Sequence, residues 1–259
     1  MYYALTYYGT AWRPALAAML HDPGALLRLP HTRILNHTPR STVALVNHVV
    51  APIVVKIFDE SRVDRMIKGH FAGSAARRAA RAIERLDKAG FAVPRLVAVL
   101  EHYVGPVCTS SCLVTEAIAD GVTADIVWRQ LHGTARRNFA RHVCRYVRRL
   151  HTCGFYARDI QACNFVVVPG RRDWEVVLVD LDRVRRFRRL SWSRRRKNLV
   201  QIHRSFGRVA TLTEQVRFLS SYLGPMSRGE LRRIGEEVRV ASARKDAEWE
   251  ARLQRRTRA

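Results

Sequence analysis

Lysine is scarce in this chain: of 46 Lys and Arg residues only Lys56, Lys68, Lys88, Lys197 and Lys245 are lysine. An ammonium is a compact point charge that arginine does not replace one for one, so each of the five invites a reason. Long apolar runs are missing too. No stretch reaches the roughly 18–20 apolar residues of a spanning helix. The opening MYYALTYYGTAWRPALAAML has its first cation at Arg13, which does not match a secretory leader with a basic start, so export is not expected. The five cysteines (108, 112, 144, 153 and 163) form no CxxC pair, and no Cys/His pair follows Cys108 and Cys112 at finger spacing. A disulfide framework or a zinc site is therefore not expected, and a reducing cytoplasm is the expected compartment. With 14 Gly and 9 Pro among 259 residues, 47% of them hydrophobic, the chain is neither low-complexity nor collagen-like but globular.

Acidic residues are the other shortage. There are 22 against 46 cations, a net charge of +24, and a field of that sign favours nucleic acid, an anionic membrane surface or a polyanionic substrate. The excess is local: residues 1–50 hold 4 basic residues, whereas 183–197 (RVRRFRRLSWSRRRK) hold 9 and no acid. At the N-terminus Tyr2, Tyr3, Tyr7, Tyr8 and Trp12 either seat at a bilayer interface or pack an N-terminal element on the fold.

The length allows one large domain or two lobes, and the pattern changes part-way along. RILNH, TVALVNHVV and PIVVKIF between Arg33 and Phe58 are dense in β-branched residues with short polar breaks, the first break at Thr38-Pro39-Arg40-Ser41. They predict an antiparallel meander. Residues 61–89 change to helical spacing, with Ile83 and Leu86 at i,i+3 in SAARRAARAIERLDKAG and a stop at Gly90. PRLVAVLEHY and SSCLVTEAI read as two more strands, so a five-stranded sheet with one principal helix is expected over residues 1–118. Residues 119–259 read as mostly helical. One helix is expected over 122–153, then the loop GFYARDIQACN, a strand pair FVVVPGRRDWEVVLVDLD turning at Pro169-Gly170, and a charged helical tail whose last 30 residues are solvated. The fold class expected is α+β.

Four short pieces supply the residue types that phosphoryl transfer from ATP needs. Lys56 ends PIVVKIF, Glu84 lies 28 residues on, Asp159 and Asn164 share RDIQACN, and Asp180 ends EVVLVD. A cation for the phosphates, a carboxylate to hold it, a carboxylate to receive the acceptor's proton and oxygen ligands for Mg2+ are all present. Each also has a plain structural reading: Glu84, for instance, is a natural helix partner of Arg81 or Lys88.

This arrangement resembles the protein-kinase-like superfamily. Within it, LHTCGFYARDIQACNFVV followed by WEVVLVDLDRVRR is similar to the bacterial lipopolysaccharide core kinases that act on Kdo or heptose. The resemblance covers about residues 33–190. It implies a two-lobed fold and an ATP-dependent sugar kinase in which Asp159, with Arg158 beside it, is catalytic. Lys56, Glu84, Ser41, Thr42 and Glu116 would bind the nucleotide, and Asn164, Asp180 and Asp182 would hold Mg2+, although Asp182 has an alternative partner in Arg183. Arg183, Arg185, Arg186, Arg194 and Arg195 would meet an anionic glycolipid on the inner face of the inner membrane. Two departures favour a sugar acceptor over a protein: Asp182 stands where a protein kinase has Gly, and Gln161 where it often has Lys. A third is that HTPRSTVAL carries no glycine to cover the phosphates, leaving backbone N–H groups, Ser41 and Thr42 for that task. A protein or other small-molecule kinase is the alternative. A pseudokinase binding nucleic acid or membrane through its charge is the third reading.

Overall fold

β-Branched density places the strands where the sequence predicts them, and long-range pairing adds one more. The computed structural model describes residues 2–7, 12, 23–47, 50–61, 73–170, 174–207 and 209–257. Two compact units divide the chain: Met1–Ala119 with Val179–Arg183, and Asp120–Leu178 with Val184–Ala259.

The first unit is built on a six-stranded sheet of β1 (Tyr2–Tyr7), β2 (Arg33–Thr38), β3 (Ser41–Asn47), β4 (Pro52–Asp59), β5 (Leu96–Val104) and β6 (Val107–Glu116), in the order β1-β5-β6-β4-β3-β2. Five strands were expected. The sixth is the N-terminal tyrosine run, which pairs antiparallel with β5 from Tyr2 opposite Tyr103 to Tyr7 opposite Ala98. Its aromatics pack on the fold: Tyr2 stacks on Tyr103 with ring centroids 4.9 Å apart, Tyr3 lies against His102, and Trp12 is buried. Tyr8 lies outside the described residues.

Alternation decides the two faces of the sheet. Ala44, Val46, Ile53, Val55, Leu100, Cys112 and Val114 join Trp12 in one buried cluster. Lys56 stands opposite Leu113, which stands opposite Val99, so all three share the other face. There α1 (Ala75–Asp87) packs on β5 and β6 through Ala75, Ala76, Ala79, Ala80, Ile83 and Leu86. The expected helix over 61–89 is described only from Ala75, since 62–72 lie outside the described residues. Ser74 caps it by accepting from the Arg77 N–H at 3.1 Å. Buried Glu60 accepts from the Ala75 N–H and from Ser111 Oγ, fixing the helix start to β6.

In the second unit the expected helix over 122–153 is two: α2 (Ala124–Gln130) and α3 (Gly133–Thr152). The first ends where Leu131 turns extended (φ −87°, ψ 144°), and Gly133, at φ +55°, a left-handed conformation that glycine adopts at no steric cost, opens the second. A three-stranded sheet of β7 (Val122–Thr123), β9 (Phe165–Pro169) and β10 (Trp174–Leu178) runs in the order β10-β9-β7, and β8 (Phe155–Ala157) pairs with β11 (Val184–Arg186). The predicted turn at Pro169-Gly170 runs into residues 171–173, which are outside those described. Gly154 allows the crossing beside β8: a Cβ there would lie 2.0 Å from the Phe187 carbonyl oxygen.

Three helices complete the unit: α4 (Trp192–Phe206), α5 (Leu212–Leu223) and α6 (Arg228–Thr257). The last was expected to be solvated, and most of it is, but Ile234, Val238 and Ser242 form a buried stripe against the preceding helices. Among the described residues no helix is long and apolar enough to cross a membrane.

Candidate functional site

In the first unit the centre of interest is Lys56. Its place on β4 turns the side chain away from the apolar cluster, with the ammonium 4.9 Å from the centre of the Phe58 ring. The ammonium bonds Asp180 Oδ1, and Asp182 Oδ1 is 4.0 Å away. Lys56 therefore pairs with these aspartates and not with Glu84, which is half-buried on α1. The sequence placed Asp180 at a strand end; β10 stops at Leu178, and Asp180 sits two residues on with φ +62°. Left-handed backbone at a non-glycine residue is sparsely populated, and it persists where surrounding contacts hold it. Here the contacts are the Lys56 bond and the packing of the 3-10 turn Leu181–Arg183 on α1.

Two carboxyls facing one ammonium titrate unequally. Burial, the largest single influence, pushes Asp180 up, but the Lys56 charge, the hydrogen bonds from Asp182 and Lys56 and the Arg183 charge together outweigh it and hold this carboxyl below its ordinary value. Burial, the hydrogen bond to Asp180 and the Asp180 charge together push Asp182 up to about 7. Asp182 thus holds its proton to a higher pH than Asp180 does, the usual result when two carboxylates crowd one site. Arg183 Nε lies 3.7 Å from Asp182 Oδ2, so both readings of Asp182 remain geometrically open.

The other predicted nucleotide residues have partners within the chain. The turn between β2 and β3 is tight, and the Thr38 hydroxyl accepts from the Arg40 and Ser41 N–H groups at 3.2 and 3.1 Å. Backbone donors that the glycine-free loop was expected to offer are therefore already engaged. Thr42 Oγ1 is 2.9 Å from His37 Nδ1. Glu116 accepts from Trp12 Nε1 at 3.3 Å and lies 3.4 Å from Arg95.

In the second unit Asp159 and Asn164 are brought together by the loop after β8. Asn164 Nδ2 donates to the Asp159 carbonyl at 3.0 Å, and Gln161 Nε2 donates to Asp159 Oδ1. The Arg158 side chain is exposed. Cys163, also exposed, has its Sγ 3.8 Å from Asn164 Oδ1.

Behind this loop lies a set of buried polar groups that sequence reading missed. His151 Nδ1 is 2.6 Å from the Tyr222 hydroxyl and its Nε2 is 3.0 Å from Asn198 Oδ1. Asn198 Nδ2 donates to the Ala157 carbonyl at 2.6 Å, and Gln201 Nε2 to the Arg158 carbonyl at 2.7 Å. The one available signal was Asn198, a polar residue inside the apolar stripe Leu199, Val200, Ile202.

The basic run is folded rather than tail-like. Arg185 and Arg186 lie on β11, Arg186 5.4 Å from the Phe155 ring centre; Arg194 stacks 4.1 Å over Phe187, Arg195 is half-buried, and Arg196 lies 3.7 Å from Glu237. Arg185, Arg186, Arg188 and Arg189 are exposed.

A model of the lipopolysaccharide kinase (Kdo/WaaP) family matches residues 35–222. The chain belongs to that family. It is an ATP-dependent sugar kinase of the lipopolysaccharide inner core. The solved structure "WaaP in complex with acyl carrier protein" is 22% identical with a TM-score of 0.67, covering 95% of this chain and 98% of that one. At that identity the likeness speaks for the fold, a WaaP-like kinase fold of mixed α+β class. No curated protein matches the sequence.

Proposed function

We propose that this lipopolysaccharide kinase transfers the γ-phosphoryl group of ATP to a Kdo or heptose hydroxyl with Asp159 as general base. The acceptor oxygen forms the new bond to phosphorus, the bond to the ADP oxygen breaks, and the hydroxyl proton passes to the Asp159 carboxylate. Asn164 and Gln161 hold Asp159 in place through its carbonyl and its carboxylate. Lys56 serves the phosphates, with the Ser41 hydroxyl as an added donor. Residues 1–118 carry Lys56 and Ser41, and 119–259 carry Asp159 and the exposed arginines.

The observation that carries this reading is the Lys56, Asp180 and Asp182 group. Its two carboxylates face one cation and keep a proton near neutrality, which is the signature of a site short of positive charge. Hard carboxylate oxygens suit Mg2+, which commonly takes one or two of them and completes its shell with phosphates and water. Asp180 and Asp182 would hold Mg2+, which would supply charge neutralisation on the phosphates.

An anionic glycolipid on the inner face of the membrane is the proposed acceptor, with the enzyme held there peripherally. The exposed arginines 185, 186, 188 and 189 support it, since each basic residue near an anionic surface is worth about 1 kcal/mol. So does a cavity of about 670 Å³ in the helical unit, walled by Phe139, Val143, Ile202 and Leu219 with Arg228 and Arg232 on its lining.

Mass spectrometry of Kdo–lipid A and its heptosylated form, each incubated with protein and Mg·ATP, tests the reading. A gain of one phosphate that Asp159→Asn abolishes is the expected result. Full phosphorylation by Asp159→Asn removes Asp159 from the base role.

A further inference from the structure

The chain of buried polar groups behind the catalytic loop has only one internally consistent set of protons. Asn198 Nδ2 faces two acceptors, the Ala157 carbonyl at 2.6 Å and Gln201 Oε1 at 3.1 Å, so both of its hydrogens are spent on them. Its Oδ1 must then accept, and among the described residues the donor facing it is His151 Nε2 at 3.0 Å. A neutral imidazole protonated at Nε2 has an acceptor at Nδ1, and the Tyr222 hydroxyl donates there at 2.6 Å. At the other end Gln201 Oε1 is filled by Asn198, which leaves its Nε2 to donate to the Arg158 carbonyl at 2.7 Å. Every hydrogen bond runs in one sense, from the Tyr222 hydroxyl through His151 to Asn198, and from Asn198 and Gln201 out to the backbone.

Burial keeps both ring groups in the states this order requires. It lowers His151 to about 4, so the imidazole is neutral, and raises Tyr222 to about 12, so the phenol keeps its proton. His151 and Asn198 are fully buried. A buried amide costs free energy unless its partners are in place, so a fully satisfied chain holds its members rigidly. The two groups it grips are consecutive peptide carbonyls, Ala157 and Arg158, directly before Asp159.

We infer that Asn198 and Gln201, oriented by His151 and Tyr222, are positioning residues that set the backbone from which the Asp159 carboxylate projects. The inference rests on the reading of Asp159 as the base. None of the four touches substrate; they act through the two carbonyls. The alternative is that the chain merely fastens α4 to β8, in which case its loss lowers stability and leaves turnover alone.

Gln201 separates these alternatives, because it is half-exposed and its substitution spares the buried members. Gln201→Met keeps the volume and removes both hydrogen bonds. A misplacement near 1 Å costs about a hundredfold in rate, and loosening one of two anchors is expected to lower kcat about tenfold. The KM for ATP should stay within about twofold and the melting temperature within about 2 °C. His151 supplies the rescue arm. Gln at 151 accepts from Tyr222 and donates to Asn198, whereas Leu does neither, so His151→Gln should keep most of kcat and His151→Leu should lose about tenfold or more.

The experiment measures kcat, the KM for ATP and melting of the full chain with Kdo–lipid A and its heptosylated form as acceptors, alongside Asp159→Asn. Inactive Asp159→Asn together with reduced kcat at unchanged KM in Gln201→Met, and Gln better than Leu at 151, supports the inference. Inactive Asp159→Asn with wild-type kcat in Gln201→Met overturns the inference and leaves the base assignment standing. Equal loss for His151→Gln and His151→Leu, matched by equal loss of melting temperature, also overturns it. Wild-type kcat in Asp159→Asn overturns the base assignment itself, whatever Gln201→Met does.

Discussion

The two units hold their reactive side chains by opposite physical means. In the first, Lys56 on a strand faces Asp180 on a strained turn and Asp182 beyond it, so position is fixed by charge attracting charge. In the second, Asp159 sits on a loop whose backbone carbonyls are tied by neutral amide donors on α4. Ionic placement follows pH and added cations, whereas a satisfied neutral network resists both until one of its members titrates. A nucleotide that enters and leaves would suit the adjustable kind, and Asp159 in the proposed role of base would suit the rigid kind.

The largest expected effect removes the group that the rigid arrangement serves. Asp159→Asn should lower kcat by about 10²–10⁴-fold with melting unchanged, as single-turnover kinetics and calorimetry would show. On the ionic side, Lys56→Met leaves two carboxylates facing each other without a cation. Its affinity for Mg·ATP, measured by calorimetry, should fall about tenfold or more, and an unchanged value would place nucleotide binding elsewhere.

Membrane attraction should be ionic in the same sense. Replacing Arg185, Arg188 and Arg189 with Gln should weaken co-sedimentation with anionic vesicles about a hundredfold at low salt and much less at physiological salt. These three are better choices than Arg194, Arg195 and Arg196, because Arg194 stacks on Phe187, Arg195 is half-buried and Arg196 faces Glu237.

Acid sharpens the comparison by acting on the units in opposite senses. His151 is lowered to about 4 from an ordinary 6.5. Between those values the unfolded chain binds a proton that the native imidazole refuses, so stability is lost as pH falls, by about 3 kcal/mol at most. His151→Gln should flatten that slope in a pH series of denaturant melts. Asp182 is raised from 3.8 to about 7. Over that range the native carboxyl keeps a proton that the unfolded one has lost, so its contribution to the stability of the metal-free protein declines as pH rises. Asp182→Asn should remove the decline and raise the melting temperature by a few degrees at pH 8, the smallest effect of the set.

Much of this was legible because it is local. The strands from Arg33 to Phe58 and from Leu96 to Glu116 announce themselves by β-branched density, and the Asp159 loop by its place between an apolar helix and an apolar strand. What was missed depends on contacts distant in sequence. β1 is a strand through its pairing with β5 about a hundred residues away, and Lys56 takes a carboxylate 124 residues on instead of the helix Glu84. The left-handed Asp180 could not be singled out in the sequence, since Asp visits that backbone more readily than most residues but only at isolated positions that its contacts select. Likewise the link from His151 to Asn198 spans 47 residues and looks in the sequence like two unrelated polar positions.

Cys163 has a practical use. Burial pushes the thiols of Cys108, Cys112 and Cys144 up to about 12, and Cys153 is half-buried, whereas Cys163 is exposed beside Asn164. Thiolate character and access govern reaction with maleimides, so a fluorophore added at neutral pH would settle first on the loop that carries Asp159 and Asn164. Its emission would report the arrival of an acceptor sugar and the loosening of the loop in real time.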